Sequence, residues 1–507
     1  MRGGVLGVLG GDVVRGARLG RRRMVALLSS SSSPLSSPPP SPNLSVAVIG
    51  GGPSGYFAAI TLASSSPSLT VTVYEASSKL LNKVLISGGG RCNLLPNTAL
   101  ETEAILPMYP RGSKELISPM SASNKKGNKK GSSSITPSQV LDWFNAAGVE
   151  TKVEKDGRTF PVTDDSGTVA SALLEEARKG GVKVVKKALV TEINVVPGSS
   201  ETPSMFSLFS LTFKESSSRP PVPSHPYAAV ILATGSTRAG WDLLSPFNVT
   251  IIPPVPSLFT LTCNPNSNPK IIDSWLLEGL AGVSVPKGTV SVAIPEHLRT
   301  SKKQKSISQT GPLLITHTGL SGPAALKTSA YAARVLHEMG YKAALTVDWA
   351  SEIDDVAELL TKFREGNGKR AVGSATPDCL KRAEVPKRLW GQLVEAAGVE
   401  KATWSEMSKK DISAVARMVK ATPLDMVGKS TFKEEFVTAG GVSLKEIDFR
   451  TMMVRKVPGL FVVGEANDVD AVTGGYNFLN CWTSGHVAGK GTGKFLEERE
   501  KARIDGV

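Results

Sequence analysis

Glycines at 50, 52 and 55, followed twenty residues later by Glu75, are the residue types and spacing that seat a nucleotide diphosphate and its ribose. Gly50 permits a tight turn, Gly52 leaves the backbone open to phosphate oxygens, and Gly55 lets a helix lie close to a strand. With Pro53 and Ser54 they would open a helix whose free N–H groups and macrodipole attract an anion, while Glu75 would accept from ribose hydroxyls. A second cluster, Ser87 to Asn93 (SGGGRCN), suggests backbone lying against something flat or bulky. There Gly89 and Gly90 give access, Arg91 and Asn93 give donors, and Cys92 gives a thiol. Near the other end of the chain, Gly464 and Glu465 close an apolar run, and Gly474, Gly475, Tyr476 and Asn477 lead into a helix. This second site separates flavin from nicotinamide. FAD extends beyond the first cradle, its ribityl chain needs an acceptor such as Glu465, and N–H groups at a helix start would stabilise the anion of a reduced ring.

The elements that must position these groups are legible around them. Val46 to Ile49 is a short β-branched run of the kind buried on both faces of a parallel sheet, and Val71 to Tyr74 is the next strand. Tyr227 to Gly235 (YAAVILATG) is a further buried strand, with Thr234 and Gly235 at its cofactor end. Met108 to Ser134, rich in Ser, Lys, Asn and Gly, reads as a disordered surface insertion of about 108–134. From 251 the pattern changes to short strands with Pro and Gly turns. The expected organisation is an α/β, Rossmann-like nucleotide-binding domain over 44–250, a β-barrel over 251–350, a helical domain over 351–420, a barrel return over 421–441 and the rest of the nucleotide-binding domain over 442–507.

Composition bounds the function. The formal charge is +14, but residues 1–43 hold six arginines against one aspartate. That leader is also Ser-rich, which is the composition of a transit peptide directing import to a mitochondrion or plastid. Elsewhere Lys125, Lys126, Lys129 and Lys130, and again Arg299, Lys302, Lys303 and Lys305, sit in polar stretches without interleaved aromatics, so no nucleic-acid partner is expected. The four cysteines form no C-x-x-C pair and the five histidines show no ligand spacing, so no metal is expected. No apolar run is long enough to span a bilayer.

Taken together, Ser87 to Asn93, Gly157 to Pro161 (GRTFP), His317 to Pro323 (HTGLSGP), Thr438 to Val442 (TAGGV), and Gly464-Glu465 with Thr473 to Asn477 (TGGYN) resemble the YhiN/BaiN-type flavoproteins, also called aminoacetone oxidase family FAD-binding enzymes. The resemblance runs from Val46 to Lys494. It implies an FAD-binding domain of the glutathione reductase type, interrupted by a β-barrel that itself carries a small helical domain, with FAD held without a covalent bond. Some members of the family are described as NAD(P)/FAD-dependent oxidoreductases. Three departures stand out: Asn93 continues as Leu94-Leu95-Pro96-Asn97, Gly235 continues as Ser236 to Trp241, and the insertion and leader are extra.

The expected function is an FAD-dependent oxidoreductase that transfers hydride between a small organic substrate, or NAD(P)H docking transiently, and bound FAD. His317 and Cys92 are the candidate proton donors, and Arg91 is the candidate anchor for a substrate carboxylate. Two rivals are a nicotinamide-only dehydrogenase, and a flavin-containing RNA-associated or scaffold protein with little turnover.

Overall fold

In the computed structural model, Ser45–Ile49 pairs in parallel with Thr70–Tyr74 on one side and Ala229–Leu232 on the other, so the first strand lies inside the sheet. The described residues are 44–96, 101–121, 133–196, 204–215, 225–263, 279–399, 402–429 and 437–505. The leader and the Lys125 to Lys130 run lie outside them. The sheet has seven strands in the order Ile447–Asp448, Met453–Val454, Leu460–Val462, Ala229–Leu232, Ser45–Ile49, Thr70–Tyr74, Lys183–Val185. Val46, Ala47 and Val48 are fully buried, which is why this strand reads as a continuous apolar run rather than an alternating one. Residues 44–249 and 442–496 contribute to one hydrophobic core, so the two ends of the chain build one half of the protein together.

Helix Pro53–Ser65 follows the glycine turn, and the 30-residue helix Tyr476–Asp505 packs along it. Glycines set their separation. A Cβ added at Gly485 would fall 2.6 Å from Ser54 O, and one at Gly489 would fall 2.7 Å from Ala58 O. The C-terminal helix is thus seated directly on the helix that the glycine turn begins.

Antiparallel strands Ile251–Ser257 and Val437–Val442 carry the chain out of this half and back. Between them, Leu261–Cys263, Gly319–Ser321, Ser306–Ile315, Ser284–Ala293, Ala343–Asp348 and Thr422–Lys429 close into a barrel. Alternate residues fill it, Val290 and Val292 from one strand and Leu345 and Val347 from its neighbour. Helices Val356–Asn367, Asp378–Arg382, Lys387–Ala396 and Lys409–Lys420 are inserted between the last two barrel strands. They share the barrel's core and enclose Trp390 and Trp404, stacked at 6.4 Å.

The expectation of disorder over Met108 to Ser134 needs correction wherever the segment is described. Residues through Ser121 are ordered, with Tyr109, Leu116 and Met120 buried. Their apolar side chains dock on the core, whereas the Lys/Asn/Gly-rich part that set the segment's composition, residues 122–132, lies outside the described residues. The ordered part reaches across the protein: Val472 N–H donates to Met108 O at 3.0 Å, and the Tyr331 hydroxyl donates to Pro107 O.

Candidate functional site

The three motif glycines do different jobs. Gly50 has φ +113°, and a Cβ there would lie 2.4 Å from Ala233 O. A Cβ on Gly55 would lie 2.1 Å from Gly50 O, so close packing of helix and turn excludes any side chain. At Gly52 a Cβ would meet nothing within 4 Å. Gly52 is also the N-cap of helix Pro53–Ser65, and no side chain caps that helix. Its first N–H groups are therefore available to an anion, with the macrodipole in support.

Glu75, at the end of the second strand, accepts from Gly51 N–H and Ser77 N–H, each at 2.8 Å. These bonds fix both carboxylate oxygens beside the glycine turn and leave each a further lone pair for a hydroxyl. Burial, and then the Glu75 charge, push the Tyr56 phenol up to about 12, so it stays neutral.

The far end of the site is joined by short contacts between distant segments. Leu94 N–H donates to Thr159 O at 2.9 Å and Thr159 N–H donates to Leu95 O at 3.0 Å. A Cβ on Gly475, at φ +88°, would lie 2.4 Å from the carbonyl carbon of Leu95. With its amide oriented to satisfy both neighbours, Asn93 accepts from Gly475 N–H at 3.1 Å and donates to Leu95 O at 3.3 Å. Trp482 Nε1 donates to Leu94 O at 3.1 Å and pins the C-terminal helix to the same segment.

Between these ends lies a cavity of about 870 Å³, within the usual range for a bound small molecule or cofactor. Of the expected cofactor contacts, Gly50, Gly52, Pro53, Ser54, Glu75, Gly89, Asn93, Thr234, Gly235, Glu465, Gly474, Gly475 and Asn477 line it. Gly55, Gly90, Arg91, Cys92, Gly464 and Tyr476 do not. Gly464 supports the wall from behind: its Cβ would fall 2.6 Å from Ser54 Oγ.

The three expected catalytic residues also stand off the wall. Arg91 pairs with Glu154 at 2.5 Å and Asp164 at 2.7 Å and lies over the Phe160 ring at 4.2 Å, which leaves a substrate carboxylate to compete with two resident ones. Cys92 is fully buried, and burial pushes its thiol up to about 12. His317 is exposed in the turn between barrel strands Ser306–Ile315 and Gly319–Ser321. Their motifs signalled a built structure, and tertiary packing turned these side chains elsewhere.

Sequence reasoning missed Lys83, Arg158, Phe478 and Cys481, all of which line the cavity. Lys83 Nζ is 2.5 Å from Glu465 Oε2, across 382 positions of sequence, and no local pattern marks that pairing. Arg158 lies within the GRTFP motif, which did carry a signal.

The residues present fit FAD. One end offers a fixed carboxylate, the middle an open Gly52 before an uncapped helix with the Glu465 carboxylate following Gly464 beside Ser54, and the other end the Gly474 and Gly475 backbone. The Thr234 hydroxyl, buried on this wall without a hydrogen-bond partner, is one more group that a ligand would satisfy. Among the described residues no His, Cys, Asp or Glu cluster could hold a metal ion, and no helix is long and apolar enough to cross a membrane.

The HI0933-like protein Rossmann domain matches residues 44–491. The chain is 24% identical over 445 residues to the ribosomal RNA dihydrouridine synthase of Escherichia coli, covering 86% of this chain and 95% of that protein. It is 25% identical over 454 residues to the 3-dehydro-bile acid delta(4,6)-reductase of Clostridium scindens, covering 88% and 98%. The Haemophilus influenzae ribosomal RNA dihydrouridine synthase is 24% identical over 453 residues, covering 87% and 96%.

Proposed function

The chain belongs to the HI0933-like Rossmann-domain family and is an FAD-dependent oxidoreductase, and from that premise we propose that it reduces a ring carbon–carbon double bond conjugated to a carbonyl. The observation that carries the flavin part of this reading is one cavity walled by both ends of the chain, from Glu75 to Gly475. Nucleotide-length ligands need such a reach. When bound, the flavin supplies hydride chemistry, and the protein's task is to hold and orient it and keep water away.

The residues divide that task. Glu75 holds the ribose hydroxyls, Gly52 and the helix start receive the diphosphate, Glu465 accepts from the polyol chain, and the Gly474 and Gly475 backbone faces the ring. The bond class follows from chemistry that two differently named relatives share. Making dihydrouridine saturates a ring double bond beside a carbonyl, and a delta(4,6)-reductase acting on a 3-dehydro bile acid does so too. Reducing equivalents would come from NAD(P)H docking transiently. A second reading, in which the ring is a uracil within RNA, is favoured by the names of two relatives.

The test is anaerobic reduction of the purified, yellow protein by NADH and NADPH, then reoxidation by separate additions of a 3-oxo-Δ4 steroid, free uridine, a ribosomal RNA transcript and oxygen. Rapid reoxidation by a conjugated ring carbonyl, with one saturated product per flavin, is expected. Colourless protein that oxidises an alcohol with NAD(P) would replace the proposal with a nicotinamide-only dehydrogenase. Flavin that no donor reduces would leave a scaffold role.

A further inference from the structure

The cavity presents an electrostatic difficulty. A dinucleotide brings two negative phosphates, yet Glu75 and Glu465 also face the cavity. Glu465 is near the place where those phosphates would lie, because Gly464 before it abuts Ser54, in the first turn of the helix after the glycine turn. Two carboxylates on that wall would repel the ligand unless one were neutralised.

Lys83 answers this. It belongs to the short helix Asn82–Ile86, which begins from Leu81, a buried residue in the left-handed region at φ +54°. Leu81 N–H donates to Gly51 O at 3.0 Å, so the glycine turn itself anchors the root of this helix. From there the Lys83 side chain reaches Glu465 at 2.5 Å. A Cβ built on Gly235 would lie 3.9 Å from Nζ, so the ammonium sits between Gly235 and Glu465, which follow two neighbouring strands. An ammonium has three N–H donors, and one goes to Glu465.

We propose that Lys83 is a cofactor-anchoring residue: its ammonium neutralises Glu465 and gives its remaining donors to the diphosphate, so that the carboxylate can serve the polyol hydroxyls without repelling the phosphates. The inference rests on the reading that this cavity holds FAD. Lysine suits the role as a compact point charge at a phosphate.

The test is equilibrium binding of FAD and of ADP to full-length protein stripped of flavin, at low and high salt, for wild type, Lys83→Met, Lys83→Arg and Glu465→Gln. Thermal melting verifies that each variant is folded. Lys83→Met is expected to weaken both FAD and ADP about tenfold or more and to flatten the salt dependence, because a screened attraction has been removed. Lys83→Arg should recover most of the affinity. Glu465→Gln should weaken FAD but not ADP, which has no polyol chain. The inference is overturned if folded Lys83→Met protein binds FAD within about threefold of wild type, if its salt dependence is unchanged, or if FAD weakens while ADP does not. Should Lys83→Met fail to fold, Lys83→Arg and the salt dependence of wild type decide: salt-insensitive binding of ADP overturns it. Wild-type protein that binds no FAD would instead defeat the functional reading beneath it.

Discussion

At the scale of single residues, the glycines of the turn separate two demands that one motif merges. Gly55 is glycine because a neighbouring carbonyl occupies the space of a side chain, whereas Gly52 faces an open cavity. Gly55→Ala should therefore destabilise the fold by about 1–3 kcal/mol through overpacking, read as a lower denaturation midpoint. Gly52→Val should match the midpoint of flavin-free wild type and purify without flavin colour. Yellow, fully loaded Gly52→Val protein would remove the turn from the binding site. The wall positions were largely readable because each motif glycine or acid serves the ligand or the backbone beside it. Arg91, Cys92 and His317 lie off the cavity wall; sequence shows a reactive side chain but not the carboxylates, burial or distance from the cavity that the fold gives it.

Among elements, the decisive contact is that of helix Pro53–Ser65 with helix Tyr476–Asp505. His486 lies at this contact, its ring 6.4 Å from that of Phe57, and burial, with a smaller contribution from Lys490, lowers its pKa from 6.5 to about 4. A histidine kept neutral in the folded state contributes its full share of stability above pH 6.5. As pH falls, the unfolded chain takes up the proton first, so stability drops between about pH 6.5 and 4 and the loss levels off below that window. The expected contribution is up to about 3 kcal/mol. Denaturation of wild type and His486→Gln across that window should show the variant losing less stability on acidification; parallel curves would contradict the assignment. Sequence identified both helices but not their mutual seat, because Gly485 and Gly489 acquire meaning only from the Ser54 and Ala58 carbonyls opposite them.

Across the whole molecule, a buried ion pair within the nucleotide-binding half presents its arginine to the barrel side. Asp470, 1% exposed, pairs with Arg111 from the segment expected to be disordered and accepts from Ser257 Oγ at 2.8 Å. The same arginine donates to Ala330 O at 3.0 Å, in the helix that follows the barrel strand Gly319–Ser321. Breaking such a pair from one side leaves a buried charge alone, so Arg111→Met should cost about 3–5 kcal/mol. Arg111→Met/Asp470→Leu should recover part of that loss, and guanidinium denaturation of the three proteins checks it. Equal loss in both variants would mean that the contact matters for packing and not for charge.

Sequence by itself determined the nucleotide cradle, the strands around it and the interruption by a β-barrel, because turn chemistry and hydrophobic period are local properties that the chain carries in any context. Only the tertiary structure decided which charged groups share a wall. Lys83 and Glu465, or Arg111 and Asp470, meet because the sheet and barrel bring together segments hundreds of residues apart, and Coulomb attraction depends on that distance in space, which the order of residues does not record.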